Sequence, residues 1–208
     1  MIDASATYKF IKEYALLEER VFCDLHECAA PTGCGSPQHH MMLNFDAVKN
    51  FYCKEKGVSP YKSADGLSYN ESGILFIIEI KGWELYKKYG RPETKQAVKD
   101  KVSKYRLSTK LSDTLMICKD VLSEMDTEIV LPVVYLVVSD VKENAVEDLE
   151  ATLLVLSETS SDFSHIYGEE IESQLSEISD VDCGFVSDCR EIDREIGSWK
   201  KARNVKLL

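Results

Sequence analysis

The stretch Gly73-Ile74-Leu75-Phe76-Ile77-Ile78-Glu79-Ile80-Lys81 decides the fold. Its apolar residues run on without the alternation of a strand that has one wet face, so both faces are expected to be covered. Such a strand lies centrally in a sheet, and Gly82 ends it. A second run, Val133-Val134-Tyr135-Leu136-Val137-Val138, follows Pro132, where proline costs no ladder bond. Between them, the sequence beyond Pro92 carries helical periodicity to about Met125 as one long helix or two in series. Val98, Val102 and Tyr105 share one face; Leu111, Leu115, Cys118, Leu122 and Met125 share another.

Upstream, Tyr8 to Phe22 reads as an amphipathic helix with Phe10, Tyr14, Leu17 and Val21 on one stripe. Asn44 or Asp46 caps a short helix closed by Gly57, and a loop or short strand covers Tyr61 to Tyr69. Downstream, Asn144 begins a helix through Leu156, an acidic helix lies near Glu169 to Ile178, and a short strand covers Val181 to Val186. A closing helix spans Arg190 to Arg203. The expected class is α/β, a mixed central sheet flanked by helices on both faces.

The chain has 208 residues, 44% hydrophobic, with 19 aromatics (two Trp, ten Tyr, seven Phe), enough to build a core and to exclude disorder as the main state. We read it as a core over 1–140 with a Cys/His-rich insertion at 23–40, and an acidic extension over 141–208 packed on the same domain. No apolar run reaches the roughly 18 residues of a membrane span and Met1-Ile2-Asp3-Ala4 lacks a signal-peptide pattern, so no membrane partner and a cytoplasmic location are expected. The net charge of −11 by itself argues against a nucleic-acid partner, but the distribution reverses that. Lys81 to Lys119 holds eleven Lys/Arg against four Asp/Glu, whereas Asp140 to Asp180 holds twelve acids and Lys142 alone. Taken alone, such runs are most simply solvated helix surface.

Glu79 and Lys81, two apart on a strand, project from one face whose other occupants, Leu75 and Ile77, are apolar. Charges there carry a desolvation cost that needs a reason. One reason is an ion pair at the strand's end. The other is a metal site, with a hard carboxylate for Mg²⁺ and an ammonium to orient water or stabilise a phosphate. Glu93-Thr94-Lys95 has the same spacing without the strand context. A second carboxylate precedes the strand in Ser63-Ala64-Asp65-Gly66.

Asp65, a turn and an apolar strand ending in Glu79-Ile80-Lys81 resemble the PD-(D/E)XK nuclease superfamily over roughly residues 8–138, although Ala64 stands where that family has proline. The resemblance implies a restriction-endonuclease-like core. It implies Mg²⁺ or Mn²⁺ held by Asp65, Glu79 and the main chain of Ile80, with Lys81 assisting the attacking water. A Glu from the first helix often joins them; Glu18, out of place inside the apolar arc, matches that role. The implied activity is metal-dependent phosphodiester hydrolysis in nucleic acid, DNA ahead of RNA, by an endonuclease that sometimes pairs as a homodimer. Lys95, Lys99, Arg106 and Lys110 fall within about 60° on a helix wheel and form a candidate phosphate ridge, with Gln96 in reach of the site.

Cys23, His26, Cys28, Cys34, His39 and His40 crowd into a turn-rich stretch. Cys23, Cys28, Cys34 and His39 are candidate ligands for structural Zn²⁺, the alternative being free thiols and surface imidazoles. Cys53 and Cys118 read as core, and Cys183 with Cys189 as a remote second pair. Thiols or metal ligands are expected in preference to disulfides. No Gly-x-Ser-x-Gly elbow or Gly-rich phosphate loop occurs, which disfavours serine hydrolase and NTPase chemistry. The competing functional reading is a non-catalytic interaction protein on the same scaffold, docking a protein partner through its acidic C-terminal region.

Overall fold

In the computed structural model, which describes residues 3–16, 20–21, 41–90, 94–123, 129–141 and 163–207, the apolar run becomes strand β4, Leu75–Lys81. The other strands are β1 (Arg20–Val21), β2 (Met41–Asn44), β3 (Gly66–Tyr69), β5 (Val130–Ser139), β6 (Asp182–Val186) and β7 (Asn204–Lys206). The sheet order is β1-β2-β3-β4-β5-β6, with β7 paired to the start of β5. The first four strands form an antiparallel meander, while β4, β5 and β6 run parallel. The expected mixed α/β sheet flanked by helices is therefore the architecture observed.

Seven helices accompany it among the described residues: α1 (Ala4–Tyr14), α2 (Phe45–Lys56), α3 (Trp83–Gly90), α4 (Lys95–Ser103), α5 (Leu107–Leu122), α6 (Ser164–Ser176) and α7 (Ile192–Ser198). Strand alternation divides the core in two. Leu75 and Ile77 of β4, with Val133, Tyr135 and Val137 of β5, pack with residues of α1, α2, α4, α5 and α6. Phe76, Ile78 and Ile80, with Val134, Leu136 and Val138, pack with Ile192 and Ile196 of α7. Both faces of β4 are buried, which is why its sequence lacks alternation.

Local chemistry sets the element ends. Asp3 accepts from Ala6 N at 2.8 Å and Asn44 from Ala47 N at 3.3 Å, capping α1 and α2. Gly57, at φ 64, closes α2 in the left-handed conformation that glycine adopts without a Cβ clash. The β3–β4 turn is tied by Asn70, whose side chain accepts from Ile74 N and donates to the carbonyls of Ile196 and Trp199.

Several expected boundaries are corrected. The first helix does not reach Phe22: it ends at Tyr14, Leu16 turns to φ 52, and Arg20–Val21 pairs as a strand with β2. Apolar residues beyond Leu16 had extended the helical pattern into a segment whose pairing is sheet-like. The stretch after Pro92 is the second of the two expected arrangements, two helices in series, broken where Arg106 adopts φ 53; the unexpected element is a further helix, α3, that precedes it. Asp140, at the end of β5, accepts from Trp83 N at 2.5 Å and so caps α3 across the sheet, a signal no local pattern contains. The closing helix is shorter than Arg190–Arg203: a 3-10 turn, Cys189–Glu191, leads into α7, and β7 follows. Cys53 and Cys118 are buried free thiols, as expected; Cys189 is disulfide-bonded, which removes it from any ligand pair with Cys183 and corrects the expectation against disulfides. The helix expected from Asn144 to Leu156 lies outside the described residues.

Because Ile77 has no exposed surface in the middle of the sheet, Ile77→Ala should cost about 2–5 kcal/mol of unfolding free energy. Urea titration followed by circular dichroism measures it. A loss below about 1 kcal/mol would contradict the central placement of β4.

Candidate active site

Glu79 is the fifth buried residue in succession along β4 and has no exposed surface. It sits at the carboxyl end of the strand, on the face covered by α4 and α5. An isolated carboxylate there would be strongly disfavoured. Two ammoniums offset that cost. Lys110 Nζ, from the first turn of α5, lies 2.5 Å from Glu79 Oε1, and Lys81 Nζ contacts the same oxygen. Lys81 also donates to its neighbour's carbonyl, Ile80 O, at 3.0 Å, and lies 5.1 Å from the centre of the Tyr105 ring. That ring supplies a cation–π contact which further restrains the ammonium.

Asp65 is brought to the same point by a web of hydrogen bonds. Its backbone N donates to Ile78 O at 2.9 Å, its carbonyl accepts from Phe45 N at 3.0 Å, and its Oδ2 accepts from Ile80 N at 2.7 Å. The preceding residues are held by two helices. Lys62 N donates to Asp113 and Ala64 N to Thr114 Oγ1, both on α5, while Ser63 Oγ donates to Asp46 of α2. Asp65 Oδ1 remains 4.0 Å from Lys110 Nζ. One cationic nitrogen thus stands within 4.0 Å of both carboxylates.

Burial pushes the Glu79 carboxyl up to about 7, and the Asp65 charge adds to the rise, while Lys81 and Lys110 pull against it. Burial opposes charge on Lys110, but Glu79 and Asp65 together hold its ammonium above the ordinary lysine value. Glu79 Oε2 is buried with no hydrogen-bond partner among the described residues, and so is the hydroxyl of Tyr135, which projects from the same sheet face. Burial raises the Tyr135 phenol well above its usual value, with Glu79 and Asp65 adding.

In front of this cluster lies a cavity of about 400 Å³ whose wall carries five lysines: Lys49, Lys62, Lys81, Lys104 and Lys110. Tyr61, Tyr105, Ser63 and Asp46 complete its wall.

Of the residues singled out from sequence, Asp65, Glu79, Ile80 and Lys81 come together. The proposed ridge does not. Its wheel ran across the break at Arg106, so α4 and α5 present their lysines separately. Lys99 pairs with Glu170 at 3.7 Å, Lys95 and Arg106 are exposed, and Lys110 belongs to the carboxylate cluster. Gln96 is exposed and donates to Asp100 at 2.8 Å, one helical turn away, which accounts for its amide without the site. Glu18 lies outside the described residues, and the helical register that motivated it ends at Tyr14. Cys23, His26, Cys28, Cys34, His39 and His40 also lie outside them. Sequence reasoning missed Lys110 as a partner of Glu79, and Lys49, Lys62 and Lys104 as cavity lysines. The surplus of lysine after Lys81 was a signal for Lys104 and Lys110 alone.

Among the described residues no group of three or more His, Cys, Asp or Glu side chains is arranged to hold a metal ion. Two carboxylates with an unused oxygen are nevertheless a donor set that suits Mg²⁺, which binds through one or two protein carboxylates plus waters and substrate phosphate. No helix among the described residues is long and apolar enough to cross a membrane. No family model matches the chain, and no curated protein or solved structure matches it at a significant level.

The raised Glu79 pKa has a pH signature. Folding takes up a proton there, so that stabilising contribution is intact below about pH 4.5 and is lost as the pH rises to about 7. Glu79→Gln lacks the titrating group. Its stability relative to the parent should therefore increase between those pH values, by about 3 kcal/mol, and stay constant above them. A difference that is flat across the range, measured by denaturant titration, would mean that the two lysines keep Glu79 ionised throughout.

Proposed function

We propose that the chain is a divalent-metal-dependent nuclease built on a PD-(D/E)XK, restriction-endonuclease-like core, hydrolysing phosphodiester bonds in nucleic acid, with DNA the substrate class favoured by the resemblance. The observation that carries this reading is the meeting of Asp65 and Glu79 around one cationic nitrogen at the tip of a central strand, with Glu79 Oε2 left unused. The order of helix, antiparallel meander, helices and parallel strand supports it as well.

Asp65, Glu79 and the carbonyl of Ile80 are the groups that would hold the metal. When bound, Mg²⁺ or Mn²⁺ supplies Lewis-acid neutralisation of the phosphoryl oxygens and lowers the pKa of a coordinated water. The protein's own contribution is positional. The β4 backbone fixes Glu79, Ile80 and Lys81 in consecutive register, and Ile80 N holds Asp65 beside them. Lys81, restrained by Glu79, Ile80 O and the Tyr105 ring, would orient the attacking water and hold a phosphate oxygen. Lys110 offsets part of the charge of the carboxylate pair and also lines the cavity, where it would meet an incoming phosphate. The lysine-rich cavity wall favours a polyanion over a neutral substrate despite the acidic net charge, because local potential governs approach.

Asp65→Asn and Lys81→Met should each lower Mn²⁺-dependent cleavage of a nucleic-acid panel by about 100-fold or more while leaving the far-ultraviolet spectrum intact. Millimolar Mn²⁺ should raise the melting temperature of the parent but not of Asp65→Asn. Unchanged cleavage in both variants would sink the assignment. No thermal shift in the parent would favour the non-catalytic interaction reading.

A further inference from the structure

The five lysines of the cavity are not equivalent. Lys81 and Lys110 are committed to Glu79, and Lys49 pairs with Asp46 at 2.5 Å. Lys62 and Lys104 are exposed, and neither ammonium is in an ion pair among the described residues, although the Lys62 backbone N donates to Asp113. They come from different parts of the chain: Lys62 from the segment that delivers Asp65, Lys104 from the end of α4. Five lysines face Asp46 on the wall and Asp65 and Glu79 behind it, an excess of two positive charges. The two uncommitted ammoniums are that excess.

We propose that this pocket binds a nucleoside phosphomonoester, gripped by Lys62 and Lys104. A phosphodiester carries one negative charge. A phosphomonoester carries between about 1.5 and 2 near neutral pH and offers three acceptor oxygens, which suits two exposed ammoniums. A cavity of about 400 Å³ lies in the range of small-molecule sites, the size class of one nucleotide. Tyr61 provides aromatic surface of the kind on which a base stacks regardless of its identity, while the Tyr105 ring is taken up by Lys81. The phosphate could end a nucleic-acid strand or belong to a free nucleotide. As a strand end, the ligand would be positioned by the pocket for cleavage near that terminus at the adjoining carboxylates, and this part alone rests on the nuclease reading.

The test is performed in EDTA, so that binding is read without cleavage. Fluorescence anisotropy compares short single-stranded oligonucleotides bearing a 5′-phosphate, a 3′-phosphate or only hydroxyl ends. One of the phosphorylated forms should bind about tenfold tighter than the hydroxyl form. In a Lys62→Ala/Lys104→Ala variant that preference should vanish with the melting temperature unchanged, and the salt dependence should fall by roughly the two phosphate contacts removed. A Lys62→Arg/Lys104→Arg variant should retain it. Competition by nucleoside monophosphate and by inorganic phosphate identifies the source: a free nucleotide that competes as well as the phosphorylated strand makes the nucleotide the ligand, and one that competes poorly makes it the strand end. Equal binding of phosphorylated and hydroxyl strands with no affinity for the mononucleotide, or a preference that survives loss of both lysines, overturns the proposal. A preference that persists in a protein unable to cleave with Mn²⁺ would refute the nuclease reading and leave the pocket standing.

Discussion

A carboxylate with no exposed surface, at the end of a strand buried on both faces, has to be compensated, and the site follows from how Glu79 is compensated. One ammonium comes from two residues further along β4, and the other from α5 across the core. The second contact ties α5 to the strand end. A buried ion pair of this kind is a poor source of net stability, since transfer of both charges out of water offsets much of their attraction. Its cost is more readily understood as positioning: it leaves one carboxylate oxygen unused and holds two cations over an open cavity.

The helix that supplies Lys110 also organises the approach of Asp65. Asp113 and Thr114, one turn beyond Lys110, accept from the backbone of Lys62 and Ala64, and the chain then enters β3 through Asp65. Thr114 is fully buried, so its hydroxyl satisfies a backbone N–H that water cannot reach. Movement of α5 would therefore displace an ammonium and a carboxylate together. The same segment carries Lys62 to the cavity wall, so the two carboxylates and the proposed phosphate grip share one support.

The strands were the more legible part of the chain because burial on both faces leaves a short apolar run, here rich in Ile and Val and bounded by Gly73, Gly82 and Pro132. Glu79 and Lys81 stood out for the same reason: charge inside such a run is anomalous. The helices were legible where a cap coincided with periodicity, as at Asn44 and Gly57. They were misread where periodicity outlasted the helix, beyond Leu16, or ran through a break, at Arg106. The lysine ridge failed through that second error, since a wheel assumes one axis. Helix α3 escaped notice because its cap, Asp140, follows the end of β5, far away in sequence.

By itself the sequence determined the class of fold, the central strand, and the pair Glu79 and Lys81, because all three depend on hydrophobicity and on the two-residue period of a strand. Tertiary structure decided which lysine answers Glu79 and which lysines face the cavity. A lysine's partner depends on where its helix is packed and how its axis is tilted, and a local pattern of residues contains neither quantity. Asp65 lies between these cases: its sequence context suggested it, but only its bond from Ile80 N and the grip of α5 bring it to the carboxylate it joins.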